Sequence, residues 1–89
     1  MEFEFDPVKS LINKAKHGMN FEEAQLLWED CRLKVFPGES REEMRLVAVG
    51  LIDDKHWCVV FKQREHALRI ISARRARIKE QGRMIKEKV

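Results

Sequence analysis

Leu68-Arg69-Ile70-Ile71-Ser72-Ala73-Arg74-Arg75-Ala76 is the stretch on which the reading of this chain turns. Ile70 and Ile71, both β-branched, follow Leu68 as they would in a strand. Ser72 then stands where a hydroxyl caps the free N–H groups of a helix, and Ala73 onward reads as that helix. Such a switch offers an anion the side chains of Arg69, Ser72, Arg74 and Arg75 together with the positive end of a helix dipole. Taken alone, the same residues describe a strand-to-helix corner with solvated arginines. The surrounding sequence has to decide between the two.

Upstream, His56 to Arg64 reads as a strand carrying Trp57, Cys58, Val59, Val60 and Phe61, with a short turn at Glu65-His66. Met44 to Ile52 is apolar on both faces, which predicts a central strand, and Asp53-Asp54-Lys55 is its turn. Cys31, Leu33 and Val35 alternate with Arg32 and Lys34 as a further strand. Pro37-Gly38 ends it, and Glu39 to Glu43 form a polar loop. Near the start, Phe3 and Phe5 alternate with Glu2 and Glu4 in a short strand. Asp6-Pro7 opens a helix whose apolar stripe is Val8, Leu11, Ile12 and Ala15. Lys14, Lys16 and His17 suit its last turn, and Gly18 its end. Asn20 and Glu23 have capping-box spacing and start a second helix with Phe21, Ala24, Leu27 and Trp28 inward. The basic helix after Ala73 is expected to end or break near Gly82, because an interior glycine costs roughly 1 kcal/mol relative to alanine. The predicted order is β-α-α-β-β-β-β-α, an α+β fold: an antiparallel meander with the helices packed on one face.

The chain has 89 residues, the size of a single domain spanning 1–89. Hydrophobic residues make up 44%, too many for a disordered chain. The net charge of +3 is small, but acids dominate residues 2–43 and bases dominate residues 62–88. That asymmetry suggests that one end meets a polyanion. Cys31 and Cys58 have no metal-ligand spacing, and each lies in an apolar run that predicts a buried free thiol. Neither a signal peptide nor an apolar run of transmembrane length is evident, so the expectation is a cytoplasmic protein without a membrane partner. No Gly-rich phosphate loop, nucleophile elbow or metal motif is present, and no cofactor or metal is expected.

Alternation across the predicted hairpins sharpens the basic cluster. A turn centred near residues 54–55 sets Arg45 opposite Arg64, and a tight turn at residues 65–66 sets Lys62 opposite Arg69. One sheet face is then wholly apolar, with Leu46, Ala48, Trp57, Val59, Phe61, Leu68 and Ile70. The other face gathers Glu43, Arg45, Lys62, Arg64 and Arg69 at one end. Like charges opposed across strands are destabilising, so a sheet built for stability alone would avoid them. Arginine is suited to bidentate phosphate contact. Partial neutralisation by Glu43 and Glu65 is the alternative explanation. His17 reads as a helix C-terminal cation or a general acid–base group, while His56 and His66 fall in turns.

These residues resemble the BrnT family of toxins from bacterial type II toxin–antitoxin systems. The first matching run is Asp6-Pro7, Lys9, Asn13, Lys16-His17-Gly18 and Phe21-Glu22-Glu23-Ala24. Glu43, Arg45 and Gly50 form a second. Arg64, Arg69-Ile70-Ile71-Ser72-Ala73-Arg74, Ala76 and Glu80 form a third. The resemblance implies a small RelE-like domain and a ribonuclease that arrests translation. It also implies a cognate, BrnA-like antitoxin that binds DNA, so that DNA is met only through that partner. Two positions depart from the family pattern: Met84 stands where a tyrosine is frequent, and Lys62 where threonine is common.

Metal-independent RNA cleavage needs a phosphate held in line, stabilisation of added negative charge and two proton transfers. Arg64 and Arg69 are the candidates for the scissile phosphate, with Arg45 in support. Lys62 or Glu43 is the candidate base. Ser72, Arg74, Arg75, Lys16 and His17 are the candidate RNA contacts. The competing expectation is a non-catalytic module that binds nucleic acid or protein through the same basic face.

Overall fold

The computed structural model describes residues 2–38 and 44–86, and for residues 83–86 the backbone alone. The elements are β1 (Phe3–Glu4), α1 (Pro7–His17), α2 (Phe21–Ala24), a 3-10 turn (Gln25–Glu29), β2 (Lys34–Pro37), β3 (Arg45–Ile52), β4 (Lys55–Gln63), β5 (Leu68–Arg75) and α3 (Ile78–Lys86). The sheet order is β1-β5-β4-β3-β2. β2 to β5 form the expected antiparallel meander. β1 joins the β5 edge in parallel, so the sheet is mixed rather than wholly antiparallel. The chain leaves β1 through helices rather than a hairpin, and such a connection permits parallel pairing.

Local chemistry sets most boundaries. The Asp6 carboxylate accepts from the N–H groups of Val8 and Lys9, Pro7 occupies the first turn, and Gly18 closes α1 at φ 83°. Asn20 and Glu23 form the reciprocal capping box. Asp53 and Asp54, at φ 50° and 64°, make a two-residue hairpin turn that requires left-handed backbone at both positions. This turn falls one residue earlier than expected. Arg45 therefore pairs with Lys62 and not with Arg64. The two-position shift preserves which side chains share a face.

The deciding stretch is a strand throughout. Ser72, Ala73, Arg74 and Arg75 pair with Val60, Val59, Cys58 and Trp57, so Ser72 caps no helix and no helix begins at Ala73. Ile71 is the extra residue of a bulge between the Phe61–Ile70 and Val60–Ser72 pairs. Nine-residue β4 supplies partners far beyond Ile71, and that pairing outweighs the helical preference of Ala-Arg-Arg-Ala. The last helix starts at Ile78 and runs through Gly82 to Lys86.

The inner sheet face carries the main core: Met19, Phe21, Ala24 and Leu27 pack on Ala48, Trp57, Val59, Phe61, Leu68, Ile70 and Ala73. Gly50 lies under the 3-10 turn, where an added Cβ would meet Leu27 and Asp30 at 3.0–3.2 Å. The helices do not share one face. Ala76, at the approach to α3, packs with Val49 and Cys58 on the outer face, flanked by Phe36 and Val47. The apolar middle of that face needed cover that α1 and α2 cannot give.

α1 is turned against its own periodicity. Val8, Leu11 and Ile12 are 63%, 72% and 58% exposed, and Ala15 is exposed as well. The buried residues of α1 are Ser10 and Asn13. The Ser10 hydroxyl accepts from Phe21 N–H at 2.8 Å. Asn13 Nδ2 donates to Met19 O at 2.7 Å and Ala73 O at 2.8 Å, and Asn13 Oδ1 accepts from Ala73 N–H at 3.3 Å. The amide thus pairs with the β5 edge where two-residue β1 has already stopped. Leu11 and Ile12 do not cover the sheet as the stripe predicts. Cys58 is buried as expected, whereas Cys31 is exposed because β2 begins only at Lys34.

Candidate functional site

Register across four strands builds the site. Glu4 pairs with Arg69, Arg69 with Lys62, and Lys62 with Arg45. At about 4.8 Å per strand, this row spans roughly 15 Å of the outer face. Arg64 follows the end of β4, where its N–H donates to Ala67 O at 2.8 Å in the turn. Its Nε lies 3.6 Å from Glu4 Oε1, and the guanidinium of Arg69 lies 3.8 Å from the same oxygen. The two arginines chosen for phosphate binding therefore converge on one carboxylate. Glu4 Oε1 is itself shielded from solvent and accepts no hydrogen bond within the protein. Both arginines keep about half of their side-chain surface, at 54% and 40% exposed.

Glu4 is not among the site residues that the sequence predicts. Its alternation with Phe3 and Phe5 did signal the outer face. Nothing in the sequence signals that β1 docks beside β5 and brings Glu4 to Arg69. Glu43, the carboxylate expected beside the arginines, lies outside the described residues.

The next row inward on the same face is Ser72, Val60, Val47 and Phe36. Val60, Val47 and Phe36 of this row, without Ser72, line a cavity of about 300 Å³ together with Arg45, Arg74, Arg77, Lys79 and Glu80. Arg74 is committed to holding this lining. Its guanidinium makes two bonds of 2.8 Å to the Glu80 carboxylate, with side chains only 23% and 19% exposed. Glu80 also accepts from Arg77 N–H at 2.7 Å. The Arg74 bond, with that N–H in support, holds the Glu80 carboxyl at about 2, against the opposing effect of burial. Cys58 lies beneath, and burial pushes its thiol up to about 11.

Other expected contacts are scattered. Arg75 lies on the inner side, its guanidinium 5.7 Å from the Trp57 ring centroid and its Nε bonded to His56 O at 3.2 Å. Lys16 and His17 lie beyond Asn13 on α1, and Asn13 is tied to Ala73, four residues along β5 from Arg69. Neither belongs to the cationic row. Among the described residues no cluster of His, Cys, Asp and Glu could hold a metal ion, and no helix is long and apolar enough to cross a membrane.

The chain is a small α+β protein with a five-stranded mixed sheet, one face of which bears a cross-strand row of cations beside a cavity. Residues 5–80 match the family described as ribonuclease toxin, BrnT, of type II toxin–antitoxin system. The chain belongs to this BrnT family, whose members are ribonuclease toxins and whose systems include an antitoxin partner. A search of curated proteins found no match.

Proposed function

We propose that this chain is a metal-independent endoribonuclease of the cytoplasm that arrests translation and is neutralised by a cognate, BrnA-like antitoxin. The observation that carries the reading is the register row Arg69–Lys62–Arg45, with Arg64 drawn to its end by Glu4. A row of cations laid across the strands suits the phosphate backbone of RNA, and arginine suits bidentate contact with phosphate. The antiparallel meander following β1 and two helical segments supports a RelE-like fold.

In this reading Arg64 and Arg69 grip the scissile phosphate and Arg45 holds a neighbouring one. The 2′-oxygen attacks the adjacent phosphorus and loses its proton to Lys62 or Glu43. The P–O5′ bond breaks, and the departing O5′ takes up a proton from solvent water. The products are a 2′,3′-cyclic phosphate and a 5′-hydroxyl. Charge stabilisation by the arginines supplies most of the rate. Glu4 is a positioning residue that sets the spacing of the two guanidinium groups before RNA arrives. Phe36, Val47 and Val60 offer a base an apolar floor beside Arg45. DNA is met through the antitoxin alone.

The test is purified chain with RNA in EDTA. Cleavage is expected, with cyclic-phosphate ends, and Arg64→Ala or Arg69→Ala should lower the rate on the order of 10²–10³-fold. Lys62→Ala and Glu43→Ala rate–pH profiles assign the base. RNA retained without cleavage would favour the binding-module reading, and equal cleavage by folded Arg64→Ala, Arg69→Ala and parent chains would remove the arginines from the site.

A further inference from the structure

We infer that the outward apolar stripe of α1 is the anchor for an acidic amphipathic helix of the antitoxin. The inference rests on the toxin–antitoxin reading above and adds a docking surface distinct from the cationic row. Val8, Leu11, Ile12 and Ala15 recur at the i, i+3, i+4, i+7 spacing by which one helix seats on another. All four are exposed. The orientation is specified rather than incidental. Burying Ser10 and Asn13 satisfies the backbone groups of Phe21, Met19 and Ala73, bonds that hold α1 at this rotation. A helix that pays for polar contacts inward while showing its aliphatic side chains outward has those side chains available for a partner.

Charge selects the partner. Lys9 and Lys16 are exposed along the Ile12 border of the stripe, and Lys14 flanks the Leu11 border, bridged to Glu23 at 2.8 Å. α1 contains no acid. A second copy of this chain would therefore set lysines against lysines, and self-pairing is disfavoured. A partner helix with its own aliphatic stripe bordered by Asp or Glu meets both features. A lipid surface is poorly matched: α1 is about 16 Å long and offers three large aliphatic side chains with no aromatic ring, little area for anchoring.

The experiment uses the full chain and the antitoxin encoded beside it. Affinity, RNA cleavage and melting temperature are measured for the parent chain, Leu11→Glu, Ile12→Glu and Lys9→Glu. Because Leu11 and Ile12 are exposed, both glutamate variants should melt and cleave RNA as the parent does. Each should bind the antitoxin on the order of 100-fold more weakly, as for loss of a central interface anchor. Lys9→Glu should weaken binding roughly tenfold and flatten its dependence on salt. Full antitoxin affinity in the folded Leu11→Glu and Ile12→Glu variants would overturn the inference. So would a dimer of the chain alone, or adsorption to phosphatidylserine vesicles, that Leu11→Glu abolishes. A parent chain that binds antitoxin through α1 yet fails to cleave RNA would overturn the ribonuclease reading and leave the docking surface standing.

Discussion

Replacing Asn13 by alanine should damage this fold far more than replacing Leu11, although periodicity alone ranks them the other way. Asn13 is 6% exposed and bonds to three backbone groups: Met19 O, Ala73 O and Ala73 N–H. Each buried backbone group left without a partner costs about 1–3 kcal/mol. The alanine leaves a small polar space that water can partly fill, which reduces the total. The net loss is about 2–4 kcal/mol. In a domain of this length each kcal/mol lowers the melting temperature by roughly 4–8 °C, so Asn13→Ala should melt roughly 8–32 °C below the parent. Leu11 is 72% exposed, and Leu11→Ala should change stability by no more than about 0.5 kcal/mol. Thermal unfolding followed by circular dichroism, with urea titration as a second measure, decides the matter. A Leu11→Ala chain that loses more stability than Asn13→Ala would mean that the aliphatic stripe faces the core and that the described orientation of α1 is wrong.

Trp28 packs edge-on between Phe3 and Phe61, with ring centroids 5.3 and 5.2 Å away, and Trp28→Ala should cost about 3 kcal/mol; an unchanged melting temperature would place it outside the core. The carboxyl of Glu80 is depressed to about 2 by Arg74, so its stabilising effect is full above its usual value near 4.5 and is lost as pH falls toward 2. This difference is worth about 2–3 kcal/mol, and Glu80→Gln should flatten stability against pH over that window; an unaltered slope would show that the pair is not intact in solution. Iodoacetamide at pH 8 should label exposed Cys31 rapidly and buried Cys58, with its thiol near 11, hardly at all; mass spectrometry showing equal labelling would contradict the packing of Ala76 over Cys58.

Capping chemistry and alternation carried much of the architecture into the sequence. Asp6-Pro7, Gly18 and the Asn20–Glu23 box marked helix ends because each satisfies a specific backbone requirement. The basic face was legible because strand faces alternate regardless of a two-residue slip in pairing. The illegible parts share a cause: each depends on a partner distant in sequence. Asn13 gave no hint that its amide closes a strand edge 60 residues away. Glu4 acquired its place from a parallel pairing that no turn encodes. At Ile71-Ser72 the alternation breaks, and a broken alternation reads as a strand end unless a bulge is allowed for. The family resemblance supplied the ribonuclease expectation, which electrostatics alone would have left beside plain anion binding.

The bulge has a consequence for the cavity. With Ile71 set aside, β5 alternates regularly: Ile70 inward, Ser72 outward, Ala73 inward, Arg74 outward. Deleting Ile71 would therefore keep every cross-strand partner and every face while straightening the strand, since a bulge adds local twist. Arg69 stands on one side of this joint, and Arg74, with Glu80 attached, stands on the other. The angle between the cationic row and the helix that walls the cavity is thus set by one residue of backbone length, and not by the side chain that residue carries.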